Sequence, residues 1–281
     1  AERRIPQDGR MSLKLGEKWV DIRVSTLPSS FGERLVLRLL DKADASLDLE
    51  ELGMTSEMTK DYLQQLKSTS GIILVTGPTG SGKTTTLYSG LNFLNDQTRN
   101  ILTVEDPIEY ALEGVGQTQV NNKVGLSFSK GLRAILRQDP DVVMVGEIRD
   151  KETAETAIQA SLTGHLVLST IHTNDSVGAI TRLIDMGVEP YLLASTLKMV
   201  IAQRLVRKLT NKNEFSGRVG IFEMIKIDSD IRNFINETID EDKIRKVAFK
   251  KYNSLLNDGE EKVKKGITSE LEIKRVLKQV D

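Results

Sequence analysis

The chain has 281 residues, 28% of them charged, a formal net charge of -1 and no cysteine. Its length allows one large domain or two smaller ones around a substantial core. Its balanced charge argues against a surface that wraps nucleic acid, and the lack of cysteine excludes disulfides, reactive thiols and thiolate metal sites. No apolar run approaches the roughly 20 residues that span a bilayer, and the N-terminus has no apolar signal core. The opening Ala1-Glu2-Arg3-Arg4, without methionine, fits a processed form or a piece of a longer protein.

In chain order, residues 12 to 24 and 34 to 40 read as strands. Trp19-Val20-Asp21-Ile22-Arg23-Val24 alternates apolar with polar, Leu35 to Leu40 is largely apolar, and Pro28-Ser29-Ser30-Phe31-Gly32 supplies the turn. This small β unit is followed by a charged stretch, Asp41 to Glu51, that reads as a linker. From about residue 55 the pattern becomes a helix and then strands alternating with helices, which argues for a mostly parallel sheet with helices on its faces. Strands buried on both sides are expected at 72–76, 101–104, 142–146 and 166–170. After about residue 190 the chain reads as helical apart from 220–225. Open α/β sheets bind ligands at the carboxyl ends of their strands, so the polar residues after each run are the functional candidates.

The first of these tails is the most specific. Gly77-Pro78-Thr79-Gly80-Ser81-Gly82-Lys83-Thr84 fills every fixed position of the phosphate loop G-x-x-x-x-G-K-[ST], between the apolar run 72–76 and a helical segment opening with Thr84-Thr85-Thr86. Glycines let successive N–H groups converge on phosphate oxygens, and the helix N-terminus adds partial positive charge. Lys83 supplies a cation for the β- and γ-phosphates, and the Thr84 hydroxyl is the expected magnesium ligand. A chance glycine-rich turn is the bland alternative, and the flanking strand and helix count against it.

After the second run comes Glu105-Asp106-Pro107-Ile108-Glu109. Nucleotide hydrolysis needs a carboxylate to orient or deprotonate water, and Glu105 stands first after the strand. Acids that merely solvate a turn before Pro107 remain the alternative. The third run ends in Gly146-Glu147, the layout that holds a magnesium ion directly or through water. Of the two histidines, His165 reads as structural, whereas His172 sits at the polar end of the fourth run beside Thr173 and Asn174, a position that suits a γ-phosphate sensor. Arg133 and Arg137, four apart, share a face of an expected helix. Arg149 follows Glu147. For Arg23 and Arg38, phosphate contact and a solvated face both stay open.

Together these stretches resemble the secretion ATPases of type II secretion and type IV pilus assembly, most closely the type II branch. The resemblance rests on Val20 to Ser29, Gly32 to Asp41, the phosphate loop, an aspartate box at Thr103 to Glu109, an atypical Walker B ending Gly146-Glu147-Ile148-Arg149-Asp150, and a histidine box at Thr163 to Asn174. It covers the chain to about Ala248. It implies a RecA-like P-loop domain with a small, partial N-terminal α+β (PAS-like) domain, divided as residues 1–42, a linker at 43–54, and the ATPase domain at 55–281 with a helical C-terminal subdomain from about 190. It further implies a homohexamer with nucleotide sites between the two domains. Residues 77 to 85, Arg23 and Arg38 would contact nucleotide, Lys83, Glu105, Glu147 and His172 would be catalytic, and Arg133, Arg137, Arg149 and Arg182 would support the site or the subunit interface.

The resemblance implies ATP as substrate, with magnesium held by Thr84 and Glu147, and a cytoplasmic location at the bacterial inner membrane beside platform proteins of the secretion or pilus machine. Two departures from the pattern are plain. Only Lys208 to Ser216 stands where relatives carry a four-cysteine zinc module, so no zinc is expected. The chain also opens at Arg4 to Arg10, midway through the family's N-terminal domain, without the segment that docks on the membrane platform. Rival readings are a pilus retraction motor, a RecA-like nucleic-acid motor and a regulatory module that binds nucleotide without turnover. Charge balance and the lack of aromatic stacking clusters count against nucleic acid.

Overall fold

The computed structural model describes residues 2–16, 18–40, 47–211, 214–237 and 240–277. Two compact units divide them: residues up to 46 with Glu109–Ala111, and the remainder.

The first unit is an antiparallel meander of β1 (Gln7–Leu15), β2 (Lys18–Ser29) and β3 (Gly32–Leu40). The run read as one strand over 12–24 is therefore parts of two. A turn at Gly16, which takes φ +64°, folds β1 back onto β2. The described residues of this unit are all strand and turn, the sheet part of the small N-terminal domain. Burial is thin: Ile22 is enclosed, but Leu35, Leu37 and Leu39 on β3 stay more than half exposed. Arg23 stands directly across from Arg38 in the β2–β3 register.

The second unit runs α1 (Ser56–Leu66), β4 (Gly71–Thr76), α2 (Lys83–Leu94), β5 (Ile101–Glu105), β6 (Gly116–Gln119), α3 (Phe128–Ile135), β7 (Val142–Val145), α4 (Lys151–Leu162), β8 (Leu166–Ile171), α5 (Ser176–Asp185) and α6 (Pro190–Thr196). It continues with β9 (Leu197–Asn211), β10 (Glu214–Lys226), α7 (Ser229–Glu237), α8 (Glu241–Ala248), α9 (Leu255–Lys264) and α10 (Glu270–Leu277). Seven strands form one sheet in the order β10-β9-β4-β8-β7-β5-β6, parallel except for β10. The four expected strands are present within a residue at each end. All of β4, β7 and β8 is buried, as continuous apolar runs of a parallel sheet require.

Side-chain caps start the helices where the chain leaves the sheet. Asp150 accepts from Thr153 N at 2.8 Å before α4, and Asp175 accepts from Gly178 N at 2.7 Å before α5. α2 is different: its cap is Gly82, with no side chain to satisfy the first N–H groups. A helix N-terminus left open in this way is an anion seat.

Two boundaries depart from expectation. Residues 197–226, expected to be mainly helical, are the long hairpin β9–β10, which extends the sheet beyond β4. The alanine, glutamine, arginine and lysine content of β9 favours helix, but pairing with β4 on one side and β10 on the other overrides it. Leu47 to Met54 is not a free linker either. Leu49 and Met54 are buried, and Leu52 O accepts from Gly220 N at 2.7 Å, so this stretch belongs to the second unit. The remainder of the expected linker, residues 43–46, and the last two residues of the expected N-terminal domain, 41 and 42, lie outside the described residues.

Candidate functional site

The phosphate loop leaves β4 at Gly77 and enters α2 at Lys83. Gly77 takes φ +144°, and a Cβ there would collide with Gln203 O and Ser81 Oγ; Gly82 takes φ +89°, and its Cβ would stand 2.7 Å from Gln203 Nε2. Neither position tolerates a side chain. Pro78, Thr79 and Gly80 form the exposed crest, Thr84 and Thr85 are half-buried in the first turn of α2, and Ser81 Oγ is buried without a hydrogen-bond partner. A buried hydroxyl without a partner, beside open helix amides, fits an anion with several acceptor oxygens.

Lys83 folds back over this loop. Its Nζ donates to Gly77 O at 2.7 Å and to Pro78 O at 3.0 Å. Burial, with Arg204 nearby, lowers its pKa to about 8, and Glu147 opposes the shift. The ammonium is thus poorly solvated, which strengthens its attraction for a phosphate.

Adjacent strands deliver the remaining groups. At the end of β7, Glu147 accepts a short hydrogen bond from Arg149 and lies 3.5 Å from His172 Nε2; its side chain is 14% exposed. Backbone bonds fix the turn: Gly146 N donates to Val104 O and Ile148 N to Thr170 O, each at 2.8 Å. At the end of β8, Thr76 Oγ1 donates to Ile171 O at 2.8 Å and accepts from Thr173 N at 3.0 Å, anchoring the His172 loop to the phosphate-loop strand. Burial first, then the charge of Lys83, lower the His172 pKa, while Glu147 and a hydrogen bond to the Gly77 backbone raise it. The phosphate loop, Glu147, Arg149 and His172 therefore share one site. Thr84 and Glu147 offer the hard oxygen donors that suit magnesium.

Glu105, the acid expected to activate water, is placed otherwise. It is 2% exposed, and its carboxylate is saturated by Thr103 Oγ1 at 2.6 Å, Gln117 Nε2 at 3.0 Å and a short hydrogen bond from Tyr88. An acid so enclosed braces the ends of β5 and β6 against α2.

The supporting arginines separate. Arg149 joins the site and stacks over Phe128 at 5.8 Å. Arg133 bonds Ser129 at 2.9 Å and pairs with Glu152, and Arg137, beyond the end of α3, donates to Arg133 O at 2.8 Å, so the two do not share a helix. Arg182 is exposed on α5. In the first unit Arg38 is exposed, whereas Arg23 is partly buried, 3.8 Å from Glu109. His165 bonds Ala160 O at 2.8 Å, a structural contact. Gln203 and Arg204, which touch the loop from β9, carried no motif of their own and were missed, as were Tyr88 and Gln117.

A parallel sheet with a glycine loop at its carboxyl edge, a lysine folded into that loop and an acid and a histidine facing it define a P-loop nucleotide-binding protein of RecA-like fold. The family model described as type II/IV secretion system protein matches residues 1–278, and the chain belongs to that family. It is 53% identical over 315 residues to type II secretion system protein E of Pseudomonas aeruginosa and 51% identical to type II secretion system ATPase E of Vibrio cholerae, with 99% of this chain covered in each case. The chain spans 63% of the length of these relatives. Among solved structures, the pilus retraction motor PilT with bound ADP matches at 32% identity and a TM-score of 0.81, over 97% of this chain and 77% of that one. The ATPase DotB of Legionella pneumophila matches at 26% identity and a TM-score of 0.79, over 96% and 76%.

Proposed function

We propose that this chain is the catalytic portion of a secretion motor that hydrolyses ATP to ADP and phosphate and turns the cycle into domain motion. The observation that carries the reading is the convergence of Lys83, Glu147 and His172 on one phosphate loop. Loop amides and Lys83 hold the phosphates, and Glu147, partly exposed and next to His172, orients the attacking water. His172, held largely neutral, donates or accepts a hydrogen bond near the terminal phosphate. Glu105 takes a supporting part, which revises the order expected from chain position. Thr84 and Glu147 would hold magnesium, which when bound neutralises charge on the phosphates.

Arg23 and Arg38 are assigned to phosphate recognition in the assembled motor. Like charges directly across a strand pair repel, and an anion between them relieves that cost. The assembly is a homohexamer at the cytoplasmic face of the inner membrane. Relatives named for type II secretion, at 51% to 53% identity, favour pseudopilus assembly and protein export over pilus retraction. No helix among the described residues is long and apolar enough to cross a membrane.

The test is phosphate release from ATP and magnesium, run alongside solution mass with and without a non-hydrolysable nucleotide. Turnover that rises with assembly and disappears in Glu147→Gln is expected. Nucleotide binding without any phosphate release, in assembled material, would make the chain a regulatory module instead.

A further inference from the structure

The phosphate loop has a wall on β9 that no motif announces. Ala202 on β9 pairs with Thr76, the last residue of β4, so Gln203 and Arg204 run on beside Gly77. Both are buried, at 2% and 3% exposure. Successive strand residues take opposite faces. Gln203 reaches α2, where Thr86 Oγ1 donates to its Oε1 at 2.7 Å. Arg204 turns to the other face, and its Nη2 donates to Asn174 O, in the loop that carries His172, at 2.5 Å. A Cβ on Gly77 would stand 3.1 Å from Arg204 Nη1. One guanidinium therefore stands beside the start of the phosphate loop and bonds the end of the histidine loop.

A guanidinium this deep needs opposite charge close by. The charges of Glu223 and Asp175 favour its ionised form, while burial pushes the Glu223 carboxyl up. The β9–β10 register sets Arg204 across from Ile221 and Glu223 across from Ala202, so Arg204 and Glu223 are diagonal neighbours on one face of the hairpin. Glu223 is 3% exposed. Its Oε1 accepts from Ser176 N at 2.9 Å and from the Ser176 hydroxyl, and its Oε2 accepts from Leu255 N at 3.2 Å. Ser176 begins α5 directly after the histidine loop, and Leu255 begins α9. Asp175 in turn pairs with Arg245 of α8 at 2.8 Å. A continuous polar path joins the phosphate loop to the C-terminal helices.

We propose that Arg204 is a positioning residue that locks the His172–Asp175 loop against the phosphate loop, and that Glu223 and Asp175 tie this lock to α8 and α9. The C-terminal helices thereby set the rate of turnover without touching nucleotide. The turnover arm rests on the hydrolysis reading above, whereas the lock itself is readable without any reaction.

The experiment compares the unsubstituted chain with Arg204→Gln, Arg204→Lys and Glu223→Gln by amide hydrogen exchange without nucleotide, then by steady-state kinetics. Exchange at Thr173 and Ser176 should quicken by about tenfold in Arg204→Gln and Glu223→Gln while β4 and β8 keep their protection. Turnover in Arg204→Gln should fall by about 10- to 100-fold with KM within about threefold, the signature of misplaced rather than missing groups. Arg204→Lys, which keeps the charge and one donor, should recover part of both and serves if Arg204→Gln does not fold. Combined with His172→Ala, Arg204→Gln should add no further loss. Unchanged exchange at 173–176, a uniform loss of protection across the sheet, or losses that multiply with His172→Ala would each overturn the proposal. If the unsubstituted chain releases no phosphate, the hydrolysis reading fails, and the exchange data still decide the lock.

Discussion

β5 and β7 are neighbours in the sheet, run parallel and each lead into a glutamate, yet the two carboxylates occupy opposite circumstances. Glu105 is covered by Tyr88 from α2 and Gln117 from β6, with neutral donors on both oxygens. Glu147 follows a glycine turn and faces Arg149, His172 and Lys83 with part of its surface in solvent. A carboxylate saturated by neutral donors is a strut, because every partner it released would be left unpaired in the interior. One set among cations at the edge of solvent can exchange partners as phosphate charge changes. Position at a strand end is shared by both; what covers that end is what differs.

The sharpest way to break this comparison is to remove each charge in turn. Glu147→Gln should reduce turnover by about 100- to 1,000-fold while unfolding free energy stays within about 0.5 kcal/mol, as read by phosphate release and urea titration. Turnover near the unsubstituted rate would remove Glu147 from the chemistry. Glu105→Ala should do the reverse, losing about 2 to 3 kcal/mol of stability because the Tyr88, Thr103 and Gln117 donors are stranded in the interior. If Glu105→Gln, assembled and fully stable, were as inactive as Glu147→Gln, the strut reading would give way to Glu105 as the base.

Titration separates the two ends further. The lowered pKa of Lys83, about 8 without ligand, means that its proton is increasingly lost above that pH, whereas bound phosphate favours the charged form. ADP affinity should therefore hold steady up to about pH 8 and then weaken toward tenfold per pH unit, by about 1.4 kcal/mol for each. Calorimetry from pH 7 to 9.5 reads this directly, and Lys83→Gln should flatten the slope; a slope that persists in Lys83→Gln would assign the titration elsewhere. The smallest expected effect is Tyr88→Phe, a loss of about 1 kcal/mol from one hydrogen bond to Glu105, with ADP affinity unchanged. A fall in ADP affinity instead would place Tyr88 at the nucleotide.

Much of the site was legible along the chain because it is local. The phosphate loop, Glu147 and His172 each directly follow an apolar run, and strand ends in a parallel sheet converge on one edge. Gln203 and Arg204 were not legible as site residues, since β9 reads as helix by composition and only its pairing beside β4 brings them to Gly77. Glu105 illustrates the opposite limit. Its chain position is that of a catalytic acid, and the residues that enclose it come from α2 and β6, 17 and 12 positions away.

The order of apolar runs, the glycine loop and the polar tails is written in local sequence, so the sheet, the nucleotide class and the family follow from it. Burial is not written there. Which of two strand-end glutamates meets solvent, which arginine is enclosed, and how the last helices reach the histidine loop depend on groups far apart in the chain that compete for the same hydrogen bonds and charges, and only the packed fold decides that competition.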